Sequence, residues 1–163
     1  MDIIQTSPAQ RQNLKRWHLL ADRLFNKSRF FGSRKLYRKL SKLFLPKLNN
    51  KIFSPTIYGF DLVVGPENAS DYYYLGFYET GALNIFKSIL NKGDTFIDVG
   101  ANIGLMSFYA SALIGDNGKI VAFEPTKKYY DDLTAGINKN GFKNIVPLKT
   151  GLGKEKGSFP IYL

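Results

Sequence analysis

The chain contains no cysteine, which excludes disulfides, thiolate zinc sites and thiol nucleophiles and leaves the redox compartment open. Histidine occurs once, as His18, so no His or Cys cluster of the kind that holds a metal is present. Beside a stripe of packing residues, a lone histidine reads as structural rather than catalytic. Long apolar runs are also missing. Residues 1–10 lack the basic start and apolar stretch of a signal peptide, and no later run approaches the roughly 18–20 apolar residues that span a bilayer. A cytoplasmic protein is the expectation, with peripheral contact to the inner face of a membrane as an option. Acidic side chains are scarce in the first third: residues 1–51 hold 13 Lys or Arg against 2 acids, whereas residues 52–163 hold 10 against 11. The formal net charge of +10 therefore comes from an N-terminal segment, as in surfaces that meet phosphate.

What is present fits one full domain in 163 residues. The organisation reads as a basic helical arm over 1–51, a short β and aromatic approach segment over 52–80, and an α/β unit over 81–163. In the arm, Leu14, Trp17, Ala21 and Leu24 recur at helical spacing among Arg11, Lys15, Arg16 and Arg23. A second helix is expected over Ser33–Leu45, with Leu36, Leu40, Leu43 and Phe44 on one face and a stop at Pro46. Such stripes dock on a neighbouring domain or lie on an anionic membrane. Phe60, Leu62 and Val64 alternate as in a strand. The run Tyr72-Tyr-Tyr74 followed by Gly76-Phe-Tyr-Glu79 reads as edge packing or as a lid.

The α/β unit is read from Thr95-Phe-Ile-Asp-Val-Gly-Ala-Asn-Ile-Gly104. An apolar strand ends in Asp98, and a Gly-x-x-x-Gly turn opens an uncharged helix, Leu105–Leu113. The helix start is expected to offer free N–H groups and a positive dipole end. A second buried strand, Ile120–Phe123, ends in Glu124-Pro125. A helix capped by Thr126 and stopped by Asn140-Gly141 follows, then a strand over Asn144–Leu148 and an edge strand at Ser158–Tyr162. Strand, helix, strand, helix, strand implies a parallel sheet with ligands beyond the carboxyl ends of its strands. There Asp98–Gly104, Glu124 and Thr150-Gly151 converge. A carboxylate 20 residues after the turn suits both hydroxyls of a ribose. Asp98 beside the turn repels a pyrophosphate and suits a cationic ligand, as S-adenosylmethionine is.

The combination of Phe96-Ile-Asp-Val-Gly-Ala-Asn-Ile-Gly104, Gly118-Lys-Ile-Val-Ala-Phe-Glu-Pro125, and Tyr130 with Leu133, Asn138, Asn140-Gly141 and Asn144 resembles the FkbM family of S-adenosylmethionine-dependent methyltransferases. Gly76-Phe-Tyr-Glu79 is similar to that family's approach segment. The resemblance implies a class I Rossmann-like methyltransferase, present in part, that acts on hydroxyls of sugars, glycans or glycolipids. It further implies that Asp98, Gly100, Ala101, Asn102 and Gly104 surround the amino-acid end of the cofactor. Glu124 and Pro125 lie at the ribose, with Thr150 on the same crevice. The family's later strands and its Asp-x-Glu-Gly type segment are not found in the 163 residues, so the chain reads as the N-terminal part of such an enzyme. Glu79 is the candidate base for the acceptor hydroxyl, or else a partner for the helix start at Ala82. Two other readings are an RNA methyltransferase gripping phosphate through its basic arm, and an inactive methyltransferase fragment.

Overall fold

The computed structural model describes residues 3–26, 39–43, 45, 47–69, 73, 80–158 and 160. Expectations for 33–38 with Leu36, for Phe44 and Pro46, for Tyr72 and Tyr74, for Gly76–Glu79, and for Phe159 with Ile161–Leu163 lie outside these residues. The chain forms two compact units, Met1–Ala82 and Leu83–Leu163.

In the N-terminal unit, Ser7 starts helix α1 (Pro8–Ala21) with a capping box: its hydroxyl accepts from the Gln10 amide, and the Gln10 side chain accepts from the Ser7 amide. Pro8 then occupies a position where no N–H is needed. A π-helical turn, Asp22–Asn26, extends α1. Strands β1 (Ile52–Pro55) and β2 (Asp61–Val64) pair antiparallel, with Ile52 opposite Val64. Helix α1 packs on β1, Ala21 is buried with Trp17, Ile57 and Tyr58 against it, and Leu14, Leu62, Val63 and Val64 are buried in the same unit. Arg11 forms a bidentate pair with Asp61, which is nearly fully buried, and this neighbour raises the guanidinium pKa further. His18 is fully buried: Nδ1 lies 3.0 Å from the Pro55 carbonyl and Nε2 2.8 Å from that of Tyr73. Burial holds its pKa below the ordinary histidine value, and the ring works as a cross-link between helix and hairpin.

Two expectations for this arm change. Leu24, placed on the packing stripe by its spacing, is half exposed, and His18 takes an inward position. Of the second helix, 39–43 is helical, but Leu40 and Leu43 face outward while Ser41 is buried and accepts from the Trp17 indole N–H at 3.1 Å. Spacing identifies side chains that share a face; it does not decide which face finds a partner.

The C-terminal unit is a Rossmann-like βαβαβ arrangement. Helix α2 (Thr80–Ile89) precedes β3 (Thr95–Val99), α3 (Leu105–Ile114), β4 (Lys119–Phe123), α4 (Lys127–Asn140) and β5 (Ile145–Leu148). The strands are parallel in the order β3-β4-β5, with Thr95 opposite Lys119 and Ile120 opposite Ile145. Phe86 of α2 meets the Phe96 ring edge-on at 5.0 Å. Helices α3 and α4 cover one sheet face, on which Asp98, Ile120, Ala122 and Ile145 are buried. Ile97, Val99, Val146 and Leu148 lie on the other face and are 37–63% exposed. The apolar run Phe96, Ile97 and Val99, of the kind that a parallel sheet buries on both faces, is therefore open on one face, because the described helices supply a single covering layer. Ser158 and Pro160 are not in a strand.

Glycine at two positions makes room for one ring. A Cβ on Gly104 would lie 2.6 Å from Phe108 and 2.7 Å from Leu133, and one on Gly136, inside α4, 2.8 Å from Phe108. Phe108 is fully buried against Phe142. Gly136 costs about 1 kcal/mol of helix propensity relative to Ala and lets α4 approach α3. Gly104 also has φ +96. Gly104→Ala is expected to destabilise the unit by about 2–4 kcal/mol, combining backbone strain with overpacking. Gly136→Ala should cost less. Urea unfolding checks both, and a neutral Gly104→Ala would refute this packing.

Candidate functional site

The carboxyl ends of β3, β4 and β5 meet through backbone hydrogen bonds. After β3, the turn folds back onto β4, with the Gly100 and Ala101 amides both donating to the Phe123 carbonyl at 2.9 Å. The Glu124 amide donates to the Leu148 carbonyl at 3.0 Å, and the Thr150 amide donates to that same carbonyl at 2.9 Å. Gly151 lies beside Pro125. Asp98, the 100–104 turn, Glu124, Pro125 and Thr150 thus share one end of the sheet. Glu79 lies outside the described residues.

The turn needs left-handed backbone at Gly100 (φ 84), Asn102 (φ 52) and Gly104 (φ 96). Asn tolerates that region because its short side chain bonds locally, and here Asn102 Oδ1 accepts from the Ile103 amide at 2.7 Å. Asn102 N donates to Glu124 Oε2 at 2.8 Å, and Gly104 N to the Ala101 carbonyl at 2.8 Å. Every amide from Gly100 to Gly104 therefore has an acceptor within the protein. Of the N–H groups expected free at the start of α3, the Ser107 amide is used by Asp98. The turn's amides are taken up by the Phe123 and Ala101 carbonyls, Asn102 Oδ1 and Glu124, so the turn is not an anion cradle.

Glu124 is 5% exposed. Its second oxygen, Oε1, accepts from the Thr126 amide at 2.9 Å. The carboxylate therefore clamps the glycine turn to the start of α4, and Thr126 occupies the N-cap position without a side-chain cap bond. An ionised carboxylate has about four acceptor positions. One on each oxygen is used here, which leaves one on each for a vicinal diol.

Asp98 is 8% exposed and accepts from the Ser107 hydroxyl at 2.6 Å and from the Ser107 backbone amide. Gly104 has no side chain to cap α3, so Asp98 caps it from the neighbouring strand. Burial is the main cause that raises the Asp98 pKa above the ordinary carboxylate value; the Ser107 bonds oppose it, and the charge of Glu124 adds to it. Arg11–Asp61 and Lys127–Asp131 are ion pairs among the described residues, and neither supplies a cation to Asp98 or Glu124. Lys127, with a side chain 76% exposed, pairs with Asp131 one turn on, at 2.6 Å.

The remaining positions differ in character. Gly100 faces open space, with nothing within 4 Å of where a Cβ would stand, whereas Gly104 is packed and Ala101 is 5% exposed. Pro125 and Thr150 are exposed, and the Thr150 hydroxyl bonds the Gly151 carbonyl. Open space is thus found at Gly100 in the turn between β3 and α3. Ser107 was missed in the sequence. Helix α3 reads as apolar on nearly every side, yet Ser107 and Ser111, four residues apart, are buried and bond Asp98 and Asn144. A serine in the first turn of a helix behind an acid-ended strand is the signal that could have found it.

The chain matches no protein-family model and no curated protein. Among solved structures it is similar to a SAM-dependent methyltransferase from Aquifex aeolicus, with 31% identity over 44% of this chain and 37% of that one, at a TM-score of 0.39. It is also similar to the SAM-dependent O-methyltransferase from Thermotoga maritima, with 18% identity over 68% of this chain and 44% of that one, at a TM-score of 0.44. A third is Aeropyrum pernix fibrillarin with natively bound S-adenosyl-L-methionine, with 22% identity over 44% of this chain and 32% of that one, at a TM-score of 0.38. The chain spans less than half the length of each.

Proposed function

We propose that the C-terminal unit binds S-adenosylmethionine between Asp98 and Glu124 and serves an O-methyltransferase of the FkbM type whose acceptor is a saccharide hydroxyl. One observation carries this reading. Two buried carboxylates stand at the ends of adjacent strands, their charges work against each other, and no protein cation among the described residues answers them. A ligand with an ammonium group at one end and a diol at the other relieves that arrangement. The sealed amides of the turn disfavour a pyrophosphate.

Residue by residue, Asp98 would hold the ammonium group, the space over Gly100 would admit the ligand backbone, and the two free acceptor positions of Glu124 would take the ribose hydroxyls. When bound, S-adenosylmethionine supplies a methyl group on a sulfonium. The chain's own task is to bind and orient: a cap on α3 that fixes Asp98, and a clamp on the turn that fixes Glu124. Such pre-positioning is the main contribution to an in-line displacement. Glu79 is proposed to take the proton of the acceptor hydroxyl.

Calorimetric titration of the full chain with S-adenosylmethionine tests the reading. Saturable one-site binding is expected, with 5′-methylthioadenosine as a weaker competitor and no binding of NAD. A folded chain that binds NAD in preference, or binds neither, would overturn it.

A further inference from the structure

The N-terminal unit has a surface that methyl transfer does not use. Helix α1 turns Leu14, His18 and Ala21 inward and leaves Leu19 53%, Leu20 44% and Leu24 50% exposed. The indole bond from Trp17 to Ser41 ties the 39–43 helical turn against α1, and that turn exposes Leu40 to 37% and Leu43 to 78%. Around these leucines Lys15, Arg16, Arg23, Lys39 and Lys42 are all exposed. Asp22 is the one acid among the described residues up to position 51. Arg11 is already committed to Asp61.

Each half of this pattern excludes something. A surface that grips nucleic-acid phosphate needs the cations but has no use for outward leucines, while an apolar protein interface disfavours so many unpaired cations at its centre. Outward leucines ringed by Lys and Arg match an interface in which acyl chains lie just beneath anionic head groups. We infer that this face of the N-terminal unit lies on an anionic lipid surface, with the leucines entering the acyl boundary and the lysines and arginines meeting head-group phosphates. It stands on the N-terminal unit alone and is independent of the cofactor site.

Flotation of the full chain with vesicles tests this. The chain is expected to float with phosphatidylcholine vesicles containing phosphatidylglycerol, not with phosphatidylcholine alone, and to detach progressively with salt. Leu20→Gln and Leu43→Gln replace exposed side chains, so the melting temperature should hold. Together they should weaken partition by about tenfold or more, because leucine burial is lost. Lys39→Glu with Lys42→Glu should remove the preference for anionic vesicles. Failure of the wild-type chain to float with anionic vesicles would overturn the inference. So would binding that salt abolishes but the leucine substitutions leave intact, with poly(U) competing, since that is phosphate adsorption by charge alone. Sedimentation that shows the leucine substitutions dissolving a dimer would overturn it as well, by assigning the leucines to self-association.

Discussion

Glu124→Ala is expected to weaken S-adenosylmethionine binding by more than about 100-fold, because two hydrogen bonds to a charged acceptor are lost together. It should also lower the stability of the C-terminal unit by about 1–3 kcal/mol. The two losses have separate causes. Binding fails because the diol loses both acceptors. Stability falls because the Asn102 and Thr126 amides, at 2.8 and 2.9 Å from the carboxylate, lose theirs. Glu124→Gln divides the effects. One amide keeps an oxygen while the other meets an NH2 group, so the stability loss should be smaller and the binding loss nearly as large. Calorimetry and thermal melts on the two variants read this directly. Wild-type affinity in Glu124→Ala would remove the ribose role, and an unchanged melt would remove the clamp.

Asp98→Asn should act in opposite directions on binding and folding. Because the folded-state pKa of Asp98 is raised, mainly by burial, the group favours the fold most below its unfolded pKa, and that contribution is lost as pH rises through the folded value. At neutral pH the fold therefore holds a carboxylate that would be better solvated in the unfolded chain. Asn removes that charge and still caps α3, since the Ser107 hydroxyl can rotate to accept from the amide. The variant should melt at the same temperature as the wild type or higher at pH 7, and its advantage should shrink as pH falls through the raised pKa. Binding of S-adenosylmethionine should drop by about 10- to 100-fold, the value of a hydrogen bond to a charged group. Competition by 5′-methylthioadenosine, which has no ammonium group, should be unaffected. Wild-type affinity should weaken over the same acid range in which Asp98 takes up its proton. A variant that melts far lower and binds as well as the wild type would make Asp98 a structural cap and nothing more.

Much of this site was legible in the sequence. Asp98 and Glu124 each follow an apolar run that could only be a strand, and Gly141 ends α4 in left-handed conformation (φ 71), as Asn140-Gly141 implies. Other features had no local signal. Ser107 reads as one more small residue in an apolar helix until Asp98 is brought beneath it. Gly104 reads as part of a ligand turn, whereas its lack of a side chain serves Phe108 and Leu133 from elsewhere in the chain. Leu24, Leu40 and Leu43 carry helical periodicity as clearly as Leu14 does, yet they face outward.

The order of elements, the uncharged helix behind a glycine turn and the two acids at strand ends follow from the sequence alone, because period, turn chemistry and the cost of burying charge are local. Only the tertiary structure decided where the turn's amides go, that Asp98 caps α3 through Ser107, and which apolar stripes are covered. Those outcomes depend on groups far apart in the chain: Asn102 meets Glu124 across 22 positions and Ser111 meets Asn144 across 33. A hydrogen bond of that range is set by how helices and strands pack. Burial works the same way, since a stripe is covered only where another element arrives to exclude water from it.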